Sequence, residues 1–138
     1  VGVLGVKYLH NQSIELLDLM IASSIGFWSV GVLNMNNMRD HVNDKTQNKN
    51  TLVVRMGFEK AKVYQSLLIV LGLLLAAYHI FMVQSQELPF ALVVVIPFAL
   101  HLKRVWKCKK EEDLNKELKI VSISTFLFSL LSLVSNLI

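Results

Sequence analysis

The chain has 138 residues, 54% of them hydrophobic, and a mean hydropathy of +0.51, which is too apolar for an ordinary soluble domain of this length. Its 14 basic residues and formal charge of +4 could suggest nucleic-acid binding. However, all but Lys7 lie in two segments, residues 39–62 and 103–119, and no nucleic-acid-binding motif accompanies them. Basic loops of membrane proteins face the cytoplasm, so the charge indicates membrane topology and we expect no nucleic-acid partner.

The first part of the chain predicts one complete membrane span. Residues 1–10 are apolar but too short to cross a bilayer, and we interpret them as the end of a helix that begins upstream. After a short turn, residues 14 to about 38 are predicted to form the first full span, apolar through Leu33. Within it, Ala22 and Gly26 have the four-residue spacing of small side chains that allows close helix approach.

Three more spans are predicted further along the chain, over residues 59–84, 88 to between 102 and 106, and 118–138. A hairpin at 85–89 joins the first two of these, and Pro97 is expected to kink the middle one. A second basic cytoplasmic loop covers 103–119. The fold class is therefore an all-α, polytopic transmembrane bundle: residues 1–138 form a single membrane-embedded region with about four full spans and part of a fifth.

The loop predicted at 39–57 contains most of the polar residues that could bind a ligand or take part in a reaction. Polar groups at the end of a membrane helix are costly and usually functional. Asp40 and Asp44 are four positions apart and would share one face of a helix. Such hard oxygen ligands, completed by phosphate, suit Mg²⁺. Neighbouring cations could neutralise a diphosphate; they are Arg39, Lys45, Lys49 and Arg55. Asn36 could bind metal or diphosphate, or cap the helix. The simpler interpretation is a solvated loop in which Asp40 pairs with Arg39 or Lys45.

The pattern N-N-x-R-D-x-x-x-D, followed by Lys, Thr-Leu-x-Val-Arg and Gly, resembles the second aspartate-rich motif of the UbiA superfamily of intramembrane aromatic prenyltransferases. It is most similar to the 1,4-dihydroxy-2-naphthoate polyprenyltransferase branch, which acts in menaquinone synthesis. Asn48 stands where that branch usually has Gly, and Asn tolerates positive φ better than most residues. The matching positions are Asn36, Asn37, Arg39, Asp40, Asp44, Lys49, Thr51, Leu52, Val54, Arg55 and Gly57.

The resemblance implies transfer of a polyprenyl group from an allylic polyprenyl diphosphate to 1,4-dihydroxy-2-naphthoate, in a bacterial cytoplasmic membrane. It implies that Asp40 and Asp44 bind Mg²⁺ through the diphosphate, with the 39–57 loop facing the cytoplasm. Diphosphate contacts are implied for Asn36, Arg39, Lys45, Lys49 and Arg55. Members of the family have nine helices and a first aspartate-rich motif that this chain lacks. We therefore expect the chain to be a C-terminal half, inactive without its N-terminal partner.

Several alternatives remain open from the sequence. The aromatic acceptor could instead be 4-hydroxybenzoate or haem, since no residue is predicted to bind the acceptor or to act as a catalytic group. A non-catalytic membrane protein, with an acidic loop that binds a partner or a lipid headgroup, is a further possibility. His41 could touch the diphosphate or be solvated, whereas His79 and His101 are interpreted as interfacial residues near span ends.

Overall fold

The computed structural model of the protein describes residues 2–83, 88–108 and 113–135, and the regular secondary structure in these ranges is entirely helical. The all-α prediction is confirmed. Pro89 lies in the first turn of its helix, while residues 85–87 of the predicted hairpin and 136–138 of the last predicted span fall outside the described residues. The helices are α1 (Gly2–Asn11), α2 (Leu16–Thr46), α3 (Leu52–Met56), α4 (Phe58–Val83), α5 (Leu88–Lys107) and α6 (Leu114–Ser135).

Helix α2 is longer than the sequence predicts. It continues past Met38 to Thr46, and its 31 residues correspond to about 46 Å of helix, against about 30 Å for the hydrocarbon core of a bilayer. Residues 39–46 contain no Gly or Pro, so nothing in them interrupts the helical hydrogen bonds. Both aspartates of the motif are therefore on helical backbone, beyond the apolar part of α2 that ends at Leu33.

Within the described residues, α2 and α4 are the two helices long and apolar enough to cross a membrane. Large apolar side chains also point away from the bundle, including Leu33 on α2, Leu74 and Phe81 on α4, Ile96 on α5 and Phe126 on α6. An outer surface of this kind is unusual for a soluble protein and suits contact with lipid.

The interior of the bundle consists of two apolar clusters, and both have members from α2, α4, α5 and α6. The first cluster contains Trp28, Ile69, Phe98 and Val121 among others. The second contains Met35 and Met38 with Val53 from α3, and it lies nearer the end of the bundle at which α2 stops. Its remaining members come from α4 to α6 and the residue after α5, and they are Ala61, Val105, Cys108 and Leu114.

Four buried polar side chains separate the two clusters, one from each long helix. Along every one of these helices the polar residue falls between a member of the first cluster and a member of the second. Hereafter we call this set the polar layer; it consists of Asn34 on α2, Gln65 on α4, His101 on α5 and Glu117 on α6.

Helices α2 and α4 pack directly on each other where the Trp28 ring meets Gly72. The Trp28 ring is fully buried, donates from Nε1 to the Ile69 carbonyl at 3.3 Å, and packs on Phe98 and Phe128. A Cβ atom on Gly72 would overlap this ring, so only glycine leaves room for it. Gly26, whose spacing from Ala22 allows close helix approach, has no atom of another described helix within 4 Å of its Cβ position, so it makes no such contact among the described residues.

Candidate metal–diphosphate site

The candidate site is built from the last turns of α2 and the short connection to α4. After α2 the chain turns back on itself, and the Lys49 amide donates to the Asp44 carbonyl at 2.8 Å. Asn48 adopts φ +55° in this turn, the conformation for which Asn is a tolerable substitute for Gly. Thr51 then caps α3 by accepting from the Val54 amide at 3.3 Å, and Gly57, at φ +85°, joins α3 to α4.

Three of the predicted site residues form one hydrogen-bonded group on α2. Arg39 donates from Nε and Nη2 to the two carboxylate oxygens of Asp40, each at 2.7 Å. The same Nη2 donates to Asn36 Oδ1 at 2.8 Å. The side chains of Arg39 and Asp40 are about one-third exposed, so the group is open to a ligand while its geometry is set by the helix.

Asp44 and Lys49 form a second pair beside this group. Lys49 Nζ lies 3.3 Å from Asp44 Oδ1, and the Asp44 side chain is largely buried while that of Lys49 is more than half exposed. Asp44 is four residues after Asp40 on continuous helix, so the two carboxylates lie on one side of α2, as predicted.

The charges of the two groups act on each other. Hydrogen bonds from Arg39 hold the pKa of the Asp40 carboxyl below its ordinary value, although partial burial opposes this shift. The positive charges of Arg39 and Lys49 lower the pKa of Asp40 further. Asp40 is therefore ionised at neutral pH.

The other predicted residues are less closely integrated. Lys45 is exposed in the last turn of α2, and Arg55 is exposed in the last turn of α3. The His41 ring stacks on Phe58 with centroids 5.3 Å apart, so it contributes to packing rather than being fully solvated.

The donor set matches the requirements of Mg²⁺ only in part. Among the described residues there is no group of three or more Asp, Glu, His or Cys side chains that could hold a metal ion by themselves. Two carboxylates on one helix face fit an ion that keeps several waters and takes its remaining ligands from phosphate oxygens. Asp40 and Asp44 would be the protein ligands of such an ion.

Sequence reasoning missed the polar layer and a buried lysine on α4. The side chain of Lys62 is almost fully buried, and Nζ donates to Glu59 at 2.8 Å and to the Cys108 carbonyl at 2.9 Å. The available signal was the presence of Gln65 and His101 inside apolar segments, because polar side chains in a membrane helix are costly unless they find partners. His101 is fully buried, whereas the sequence indicated only an interfacial position.

Comparison with known proteins adds sequence relationships to this geometry. Curated relatives described as 1,4-dihydroxy-2-naphthoate octaprenyltransferases include a Haemophilus influenzae protein, 32% identical over 94% of this chain. An Escherichia coli K12 protein is 35% identical over 61% of the chain, and a Mycobacterium tuberculosis protein is 39% identical over 54%. The aligned parts amount to 42%, 28% and 26% of these relatives, so the chain spans less than half of their length.

The family assignment follows from the extent of the match. No solved structure gives a significant match to the chain. Residues 1–131, which include every helix except the last turn of α6, match the UbiA prenyltransferase family. The chain therefore belongs to the UbiA prenyltransferase family.

Proposed function

We propose that this chain is part of a membrane prenyltransferase that transfers a polyprenyl group from an allylic polyprenyl diphosphate to 1,4-dihydroxy-2-naphthoate in menaquinone biosynthesis. The observation that carries the proposal is the arrangement at the end of α2, where Asn36, Arg39 and Asp40 are joined by hydrogen bonds beside the Asp44–Lys49 pair. The acceptor is proposed from the printed descriptions of the relatives.

Each residue of the arrangement has a distinct proposed task. Asp40 and Asp44 hold Mg²⁺ together with the diphosphate oxygens. Bound Mg²⁺ would stabilise the negative charge that develops on the departing diphosphate. Arg39 binds phosphate oxygens in bidentate fashion and Lys49 acts as a point charge, while Asn36 orients the guanidinium through its 2.8 Å hydrogen bond. Lys45 and Arg55, which are exposed, supply weaker long-range attraction for the anionic substrate.

The ionisation step explains why cations must surround the leaving group. When the bond between the allylic carbon and the diphosphate oxygen breaks, the electron pair stays on that oxygen and the prenyl carbon becomes an allylic cation. An electron-rich ring then attacks this carbon, and in the resembled branch the ring carboxylate leaves as CO₂. Preorganised cations at the leaving oxygen lower the barrier because the new charge appears there.

The membrane arrangement is also proposed. Exposed apolar side chains on all four long helices support a bundle of four spans, with α1 as the end of a fifth, and this would be the C-terminal half of a nine-helix fold. The end of α2 and the connection to α4 would face the cytoplasm of a bacterial inner membrane, since six basic residues lie between Arg39 and Lys62. An N-terminal half with the first aspartate-rich motif would complete the metal site and the acceptor pocket.

The test is Mg²⁺-dependent binding followed by turnover, using the natural protein that carries this chain, purified in detergent. Binding of polyprenyl diphosphate that requires Mg²⁺, with product formed from 1,4-dihydroxy-2-naphthoate, is the expected result. If product formed only with 4-hydroxybenzoate or haem, that compound would be the acceptor in place of 1,4-dihydroxy-2-naphthoate. Absence of any Mg²⁺-dependent diphosphate binding would instead favour a non-catalytic membrane protein.

A further inference from the structure

The polar layer is a continuous chain of hydrogen bonds across the bundle. Asn34 Nδ2 donates to Gln65 Oε1 at 3.0 Å, Gln65 Nε2 lies 3.2 Å from His101 Nε2, and His101 Nδ1 lies 3.0 Å from Glu117 Oε2. All four side chains are at least nine-tenths buried. The chain therefore links α2 to α4, α5 and α6 without passing through water.

Each hydrogen bond of this chain has a defined direction. Asn34 Nδ2 also donates to the Ala61 carbonyl at 3.1 Å, which requires the amide nitrogen rather than the oxygen at that position. Gln65 must then present its oxygen to Asn34 and its nitrogen to His101. His101 Nε2 consequently accepts, and the ring donates its Nδ1 proton to Glu117. Reversal of any one amide or of the tautomer would bring two donors or two acceptors together.

Glu117 supplies a fixed origin for this direction. It accepts from His101 through Oε2 and from Arg104 Nη1 through Oε1 at 3.3 Å, and it is 5% exposed. The hydrogen bond to Oε2 therefore matches the His101 tautomer that carries its proton on Nδ1. The His101 tautomer fixes the orientation of the Gln65 amide, and the Gln65 amide in turn fixes the orientation of the Asn34 amide.

The other end of the chain lies close to the candidate site. Asn34 precedes Asn36 by two residues and Asp40 by six, which is about 9 Å along the helix axis. Asn34 faces α4, so its hydrogen bonds fix the rotation of α2 about its own axis at this level. The same rotation determines where Asn36, Arg39 and Asp40 point.

We propose that Gln65 and His101 are positioning residues for the diphosphate site, and that they act through Asn34 to hold the end of α2 in its binding orientation. This inference rests on the proposed function. A ligand site works only when supporting side chains keep its members within a fraction of an ångström, and loss of such support commonly costs about 10- to 100-fold in affinity or activity.

Two substitutions of His101 each retain one of its two hydrogen bonds and remove the other. In His101→Asn the side-chain amide reaches the position of Nδ1 and retains the bond to Glu117, but it leaves Gln65 without its acceptor. In His101→Gln the longer side chain reaches the position of Nε2 and can accept from Gln65, but it loses Glu117. His101→Asn removes more side-chain volume than His101→Gln, so a packing loss would also affect it more. The Asn34→Leu variant described below, which opens no cavity, separates the two explanations.

The measurements are binding of inorganic diphosphate with Mg²⁺ and hydrogen–deuterium exchange of amides 36–46, in the natural protein that carries this chain. We expect His101→Asn to weaken diphosphate binding about 10-fold or more and to speed exchange at the end of α2, whereas His101→Gln stays close to wild type. Equal effects of the two variants, or a larger effect of His101→Gln, would overturn the proposal.

A second variant keeps the test decisive if His101→Asn does not fold. Asn34→Leu removes the last bond of the chain, keeps the number of side-chain heavy atoms so that no cavity opens, and leaves Gln65, His101 and Glu117 in place. It should reproduce the loss of binding and the faster exchange; a folded Asn34→Leu protein with wild-type values for both would refute the proposal. If the wild type binds no diphosphate, the proposed function fails, while the exchange rates still decide whether His101 positions the end of α2.

Discussion

Arg39 donates one hydrogen bond to each carboxylate oxygen of its neighbour Asp40, and both bonds are 2.7 Å long. In this state neither oxygen is fully available to a metal ion. Binding of Mg²⁺ with diphosphate should therefore draw at least one Asp40 oxygen away from Arg39. In the proposed function the released guanidinium would lie beside the incoming phosphate and could bind it, so the ion pair would keep a phosphate-binding side chain next to the metal ligands.

The first prediction concerns the two carboxylates. Asp40→Asn and Asp44→Asn, made in the natural protein that carries this chain, should each lower the turnover rate by at least ~10²-fold, because each removes a stabiliser of the charged transition state. The measurement is prenyl transfer at saturating Mg²⁺.

The matched control is Asp18→Asn, which removes a carboxylate from the opposite end of α2, where it pairs with Lys7 at 3.2 Å. Its turnover should remain close to wild type. Near-normal turnover of the Asp40→Asn, Asp44→Asn double variant would eliminate the metal-site assignment.

The second prediction compares two lysines four residues apart. Lys49→Gln should raise the KM for polyprenyl diphosphate, because Lys49 pairs with Asp44 and its positive charge also lowers the pKa of Asp40. Lys45→Gln, at an exposed position in the last turn of α2, should have a smaller effect. Steady-state kinetics of both variants at low ionic strength provides the comparison, and a larger effect at Lys45 would contradict the arrangement described here.

The third prediction concerns packing. Gly72→Ala should destabilise the bundle by about 1–3 kcal/mol, because the new methyl group would overlap the buried Trp28 ring. Gly26→Ala should be neutral or stabilising, since its Cβ would meet open space and alanine favours helix by about 1 kcal/mol. Thermal unfolding in detergent distinguishes the two; equal stability of the variants would show that α2 and α4 do not approach at Gly72.

The fourth prediction concerns topology. In a Cys108→Ser background, single cysteines at Lys45 and Lys119 should react with an impermeant thiol reagent from the cytoplasmic side. A cysteine at Val83, the last described residue of α4, should react from the opposite side. These positions are exposed in the structure, so accessibility reports sidedness rather than burial. Reaction of Val83 and Lys45 from the same side would contradict the proposed spans.

The elements of the fold were largely predictable because their signals are local. Long apolar runs predicted the long helices, and the tolerance of Asn48 for positive φ agrees with its φ of +55°. The end of α2 was less predictable. Polar residues from Arg39 to Thr46 are compatible with either loop or helix, and contacts of Met38 with the second apolar cluster are non-local.

The arrangement of the candidate site was predictable only in part. The spacing of Asp40 and Asp44 indicated a shared helix face, and the simpler interpretation had already paired Asp40 with Arg39. The sequence did not indicate that both oxygens of Asp40 are engaged, which depends on rotamers. The polar layer depends on tertiary alignment: Asn34 and Glu117 are 83 positions apart, and no local pattern connects them.

The polar layer also restricts how the four long helices can assemble. If one helix slid along its neighbours by a turn, about 5.4 Å, its polar side chain would face an apolar cluster and leave donors or acceptors unmatched in a medium without water. Apolar ridges alone would tolerate several such offsets. The aligned set Asn34, Gln65, His101 and Glu117 therefore selects a single vertical register for the bundle, and with it the height at which the aspartates emerge from the apolar part of α2.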